Sequence, residues 1–113
     1  MIIYFRTRKL QKVCNNTKLS KKELGHEMAR KLQQRLMELK AASCLDDISR
    51  IPPPRYHLMT GDRDGQLSVD LKHPYRLYFI PANDPIPKTE DGGLDWCKVT
   101  EIEIIEIIDP HKS

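Results

Sequence analysis

The sequence predicts an α+β domain, with an N-terminal strand and helices packed on one face of a mostly antiparallel sheet. Three observations lead there. The chain opens on a short apolar run, Ile2-Ile3-Tyr4-Phe5, rich in residues that favour strands. A stripe of Leu24, Met28, Leu32, Leu36 and Leu39 follows at helical spacing. Beyond Pro52-Pro53-Pro54 the apolar residues alternate with polar ones instead, the two-residue period of strands. A strand, then helices, then four strands is solved most simply by helices laid on one face of an antiparallel sheet.

Each element can be justified in order. Residues 1–6 read as the first strand and 7–14 as a short helix, with Leu10 and Val13 three apart. Asn15-Asn16-Thr17 is a break. Ser20 followed by Glu23 has the form of a capping box, in which the hydroxyl and the carboxylate satisfy N–H groups of the first turn. The long helix is therefore expected from Lys21 to Ala42. Ser43 is positioned to cap a short helix around Leu45–Ile48. The three prolines forbid helix and impose extended backbone. Arg55 onward then gives a strand, a tight turn at Gly61-Asp62-Arg63-Asp64-Gly65, and two strands joined at Lys72-His73-Pro74. In the first of these two strands Leu67, Val69 and Leu71 alternate with Gln66, Ser68 and Asp70, one buried face and one wet face. In the second, Leu77 and Phe79 face the core, so Arg76 and Tyr78 project from the opposite face, where a cross-strand pair with Asp70 is a structural alternative to a functional role for Arg76. Residues 82–98 are rich in proline and glycine and read as an exposed loop anchored by Trp96. In the last strand, Val99–Ile108, the apolar phase changes between Ile102/Ile104 and Ile105/Ile107. A bulge near Ile104-Ile105 restores one-sidedness.

A length of 113 residues allows one domain, 1–113, with one modest core. There is no apolar run long enough to span a membrane and no signal-peptide pattern at the start, so a cytoplasmic protein is expected. Cys14, Cys44 and Cys97 are widely spaced and odd in number, which argues against a zinc site or a disulfide framework. The net charge of +3 conceals an asymmetry: residues 1–40 carry 11 Lys or Arg against 3 Glu, and residues 41–113 carry 8 against 13 Asp or Glu. A basic half of this kind suits a phosphate-rich partner and equally a solvated helix face. His26 and His73 read as solvated helix and turn residues. Glu101, Glu103 and Glu106 read as the wet side of a strand rather than as metal ligands.

One set of motifs is more specific. Ala41-Ala42-Ser43, Tyr56-His57-Leu58, Gly61-Asp62-Arg63-Asp64-Gly65-Gln66, Ser68-Val69-Asp70, Tyr75-Arg76-Leu77-Tyr78-Phe79 and the terminal Asp109-Pro110-His111 occur in this order. Together they resemble the HigB-type toxins, or plasmid maintenance killer proteins, of the RelE/ParE superfamily. Two positions depart from the pattern: Thr60 stands where some members carry Lys, and Pro110 where the terminal motif has Tyr. The loop at 82–98 is also longer than is usual in the family.

The resemblance implies a toxin of a type II toxin–antitoxin system that cuts translated mRNA on the ribosome, without metal or other cofactor. The RNA 2′-OH would attack the adjacent phosphate. That chemistry asks for a base, an acid and a cation to stabilise phosphoryl charge. Histidine suits the proton transfers and arginine the phosphate. Family positions give His57 and His111 the proton-transfer roles, Asp109 the tuning of His111, and Arg76 the charge stabilisation. They make Arg63 and Gln66 RNA contacts or turn residues, and basic residues on the helices, such as Arg30, Lys31 and Arg35, are then expected to meet ribosomal RNA. The implied partners are the ribosome and its mRNA and a HigA-like helix-turn-helix antitoxin, with operator DNA reached only through that antitoxin. Two alternatives share the fold: a non-enzymatic inhibitor of DNA gyrase, and a degenerate toxin that keeps only antitoxin binding. Paired histidines and Arg76 favour cleavage, because an inhibitor needs no proton-transfer groups.

Overall fold

The computed structural model describes residues 1–49, 56–58 and 65–109, with only the backbone at 49 and at 56–58. The expected Pro52–Pro54 step, the turn at 61–64, Thr60, Arg63, Pro110 and His111 lie outside the described residues. The elements in order are β1 (Ile2–Phe5), α1 (Arg8–Asn15), α2 (Thr17–Leu24), α3 (His26–Ala41), α4 (Leu45–Ser49), β2 (Tyr56–Leu58), β3 (Leu67–Asp70), β4 (Arg76–Pro81) and β5 (Glu101–Ile108). The strands form one sheet in the order β1-β5-β4-β3-β2. β1 runs parallel to β5, and the other three pairings are antiparallel.

The expected α+β layering holds. Met28, Leu32, Leu36 and Leu39 of α3 share one buried cluster with Val13 and Cys14 of α1 and Leu45 and Ile48 of α4. The sheet supplies Leu67, Val69, Leu77, Phe79, Ile102 and Ile104 to the same cluster. Of these, Met28, Leu32, Leu36, Leu39, Leu67, Val69, Leu77 and Phe79 are residues that the two periodicities mark as inward-facing. Truncating one such side chain, Leu32 for example, removes packing that costs about 2–5 kcal/mol.

The single long helix expected from Lys21 to Ala42 is two helices. α2 begins earlier, at Thr17, capped by the Asn16 side chain, which accepts from the Leu19 N–H at 3.0 Å. Ser20 is therefore not a cap. It lies inside α2, fully buried, and its hydroxyl has no hydrogen-bond partner among the described residues. The break comes at Gly25, whose φ of 84° and ψ of 163° end α2 and start α3. That backbone region is essentially reserved for glycine. The capping-box reading failed because an Asn one turn upstream, just after α1, offers an earlier cap. The leucine stripe continues in phase across the glycine and hides the break.

The bulge lies where the phase change puts it. Tyr78 faces Glu106 while its neighbour Phe79 faces Ile104, so Ile105 is the extra residue. Past the bulge Ile107 stands opposite Leu77, on the core side. The 82–98 segment contains a Lys88–Leu94 bridge and a turn of 3-10 helix at Trp96–Lys98. Asn83 fastens its root: its side chain donates to Thr100 Oγ1 and accepts from the N–H groups of Thr100 and Glu101, all within 3.1 Å. Trp96 packs against the core cluster, as an anchor should.

At the outer edge of the sheet, Tyr4 donates to Glu101 at 2.7 Å and Arg6 to Glu103 at 3.1 Å. The carboxylate beside Tyr4 holds its phenol above the ordinary value. The amino group of Met1 donates to the carbonyls of Leu39 and Lys40, at 3.3 and 2.9 Å. A positive charge is favourable there, at the negative end of the α3 dipole. No described helix is long and apolar enough to cross a membrane.

Two measurements check this account. Gly25→Ala is expected to destabilise by about 1–3 kcal/mol and Asn16→Ala by about 1 kcal/mol, whereas Ser20→Ala stays near wild type. Urea unfolding midpoints read all three. Burial pushes the Cys14 thiol up to about 12, so at pH 8 a maleimide should label exposed Cys97 within minutes and leave Cys14 untouched until the protein unfolds.

Candidate functional site

The face of the sheet away from the core collects the polar residues of the central strands. Register alone assembles them. His57 stands opposite Ser68, Ser68 opposite Tyr78, and Tyr78 opposite Glu106, so one lateral row crosses four strands. The adjacent row is Asp70, Arg76 and Ile108. Residues directly opposite on neighbouring strands share a face.

This face is less wet than the alternation implies. Ser68 and Tyr78 are fully buried, and the Arg76 side chain is only 14% exposed. Alternation tells which side of a sheet a residue takes; it does not tell what covers that side. Two of the three Arg76 nitrogens are accordingly partnered. Arg76 donates through Nε to Ser68 Oγ at 2.8 Å and through Nη1 to the Asp70 carboxylate. Its third nitrogen, Nη2, is buried and has no hydrogen-bond partner among the described residues.

Asp70 is held a second time from behind. Arg35 reaches from α3 and donates through Nε to the Asp70 backbone carbonyl at 2.6 Å, and through Nη1 to Glu38 at 3.2 Å. This corrects the expectation that Arg35 meets RNA. Arg35 is 3% exposed, buried beside the leucine stripe. The periodicity explains it: position 35 lies three residues after Leu32 and four before Leu39, on the same side of the helix. Arg35 is a structural tie between helix layer and sheet.

The other candidates divide. Asp109 is buried and directly follows Ile108, the β5 residue opposite Arg76. Gln66 is half-buried and immediately precedes β3. Arg30 is exposed and Lys31 half-buried on α3, in the layer on the other side of the sheet, so neither joins the Arg76 cluster. His57 is placed by its backbone register only, and Arg63 and His111 lie outside the described residues.

Comparison of the chain with family models and with curated proteins finds no match. The chemistry must be read from the cluster itself.

Two residues that the sequence did not single out belong beside it. A cleft of about 300 Å³ at the β3–β4 hairpin is lined by Asp70, Leu71, His73, Pro74, Tyr75 and Arg76. His73, read from sequence as a solvated turn residue, is exposed but stands on the rim of this cleft. Tyr75 lines it while also packing against the core. The available signal was the hairpin length: a short turn returns His73 and Tyr75 to the level of Asp70 and Arg76. On the other side of the turn, Lys72 pairs with Glu27 at 2.8 Å and holds that carboxyl below the ordinary range.

The arrangement holds a guanidinium in a fixed direction, aimed by a carboxylate and a hydroxyl, with its third nitrogen, Nη2, buried and without a partner among the described residues. Such a group binds an oxyanion, and a phosphate oxygen most naturally. Asp70→Ala should remove the aiming carboxylate and leave a mostly buried guanidinium short of a partner, costing about 2 kcal/mol. Arg35→Ala should cost a similar amount, and Arg35→Lys, which cannot reproduce the two-nitrogen contact, should recover only part of it. Urea unfolding checks both.

Proposed function

We propose that this protein is a HigB-type toxin of the RelE/ParE superfamily, a ribosome-dependent endoribonuclease that cleaves translated mRNA. The observation that carries the proposal is Arg76: two of its nitrogens are fixed by Ser68 and Asp70, while buried Nη2 has no partner among the described residues. A buried donor in this state is unusual in a folded protein and is satisfied when a phosphoryl oxygen arrives. His57, opposite Ser68 in register, belongs to the row next to Arg76.

The reaction is a transesterification. A base removes the proton of an RNA 2′-OH, and the resulting oxygen attacks the neighbouring phosphorus. The bond from phosphorus to the 5′ oxygen of the next nucleotide breaks. An acid then protonates that leaving oxygen, and a 2′,3′-cyclic phosphate remains. His57 and His111 divide the acid and base roles. Asp109 orients His111. Arg76 donates through Nη2 to the phosphoryl oxygen, whose negative charge grows in the transition state. Asp70 and Ser68 keep the guanidinium from turning away, which is preorganisation rather than chemistry. Gln66 and Arg63 contact the RNA backbone. A HigA-like helix-turn-helix antitoxin restrains the toxin and carries it to operator DNA.

The test is induced expression without antitoxin, with growth followed and mRNA 5′ ends mapped, for wild type, Arg76→Ala and His111→Ala. Wild type should arrest growth and generate new 5′ ends inside translated codons. Arg76→Ala should lower cleavage by about 10²–10³-fold, and His111→Ala by about 10²–10⁴-fold. Arrest with intact mRNA and damaged DNA would assign the protein to gyrase inhibition instead. Normal growth would leave a degenerate toxin that only binds.

A further inference from the structure

We infer that the outer face of α3, continued to the edge strand β1, is the docking groove for an acidic amphipathic helix of a partner protein. The inference stands without the nuclease reading, because it uses none of the residues around Arg76.

Two cavities form the groove. One, of about 580 Å³ between α2 and α3, is lined chiefly by Lys21, Ala29, Arg30, Gln33, Gln34 and Met37. The other, of about 600 Å³, lies between α3, α1 and β1 and includes Ile2, Ile3, Phe5, Leu36 and Lys40. Gln33 and Met37 line both, so the two adjoin along α3. Met37 is 70% exposed and Ile2 57% exposed. A large, flexible thioether left in water on a helix that otherwise buries its apolar residues is a natural anchor for a second apolar surface.

Charge identifies the occupant. Lys21, Arg30 and Lys40 rim the groove, and none of them forms an ion pair among the described residues. The carboxylate in the lining, Glu38, is already engaged by Arg35. An apolar floor with an unbalanced positive rim complements a helix that is apolar on one side and acidic at its borders. Shape agrees. His26, Arg30, Gln33, Gln34 and Met37 recur at three- and four-residue steps along α3, which at its 16 residues is roughly 24 Å long. A partner helix of about four turns matches that length. RNA is the poorer occupant. Single strands are held by stacking on aromatic rings; Phe5 in the lining is packed against the core, which leaves His26 as the exposed ring among the residues that line the two cavities.

The probe is a displayed library of random 16-residue peptides, selected on the immobilised protein. Selected peptides are then measured individually against wild type, Met37→Glu, and Lys21→Glu combined with Arg30→Glu, each confirmed folded by circular dichroism. Net-negative peptides with apolar residues at i, i+3 or i+4, and i+7 are expected. They should bind Met37→Glu about tenfold or more weakly, as when an interface anchor is lost. They should also weaken on the double charge reversal and with added salt. The inference fails if no peptide is enriched over the uncoated support, or if the enriched peptides are basic or bind Met37→Glu as well as wild type. A fluorescent oligouridylate measured in parallel should be indifferent to Met37→Glu. If instead it binds wild type and loses affinity on that substitution, the groove is a nucleic-acid face and the inference is overturned.

Discussion

Asp70 is gripped from two sides, and the geometry of the polar face depends on that grip. Its backbone carbonyl accepts from Arg35 of α3, and its carboxylate accepts from Arg76 of β4. The last residue of β3 thereby links the helix layer, the hairpin and the candidate anion site. Neither arginine is in open solvent, so each hydrogen bond matters more than a surface ion pair would. Loss of either partner strands a charged group in a poorly hydrated place. Arg35 also forms a short ion pair with Glu38 on its own helix, which keeps its guanidinium from swinging out of the layer.

From that constraint the candidate site follows in steps. A fixed Asp70 fixes Nη1 of Arg76; Ser68, two residues earlier on the same strand, fixes Nε. Two-point attachment leaves the guanidinium one orientation and one nitrogen, Nη2, without a partner among the described residues. The hairpin turn then sets His73 and Tyr75 beside it, around a small cleft. The docking groove belongs to the opposite layer, on α3 and β1. The proposed anion site thus lies on one side of the sheet and the proposed groove in the layer on the other. A partner seated in the groove would touch α3, the helix whose Arg35 steadies Asp70, and so has a physical connection to the site it does not cover.

The sequence revealed side and period well, and contacts poorly. Leu67, Val69, Leu77 and Phe79 were legible as core because alternation is enforced by the pleat, and the Ile105 bulge was legible because two apolar phases cannot both face inward without one. Gly25 was missed as a helix break because the leucine stripe runs through it in phase. Arg35 was misread because charge suggested an RNA-facing surface while its phase along α3 already placed it inward; phase proved the better guide. Arg76 and Asp70 could be paired in advance as cross-strand neighbours, but the donor left over on Nη2 depends on side-chain geometry that no periodicity encodes. His73 was undervalued for a similar reason: a turn residue gains meaning only when the hairpin returns it to its strand neighbours.

The most direct test of the central claim, that Arg76 is a preorganised ligand for an RNA phosphate, is a single-turnover assay on purified ribosomes holding a defined codon in the A site. Wild type and Arg76→Ala would be compared at equal folded concentration, with Ser68→Ala as a variant that loosens Arg76 without removing it. The account predicts cleavage within the codon by wild type, a loss of about 10²-fold or more for Arg76→Ala, and an intermediate loss for Ser68→Ala. An intact message with wild type, or equal cleavage rates for wild type and Arg76→Ala, would contradict it.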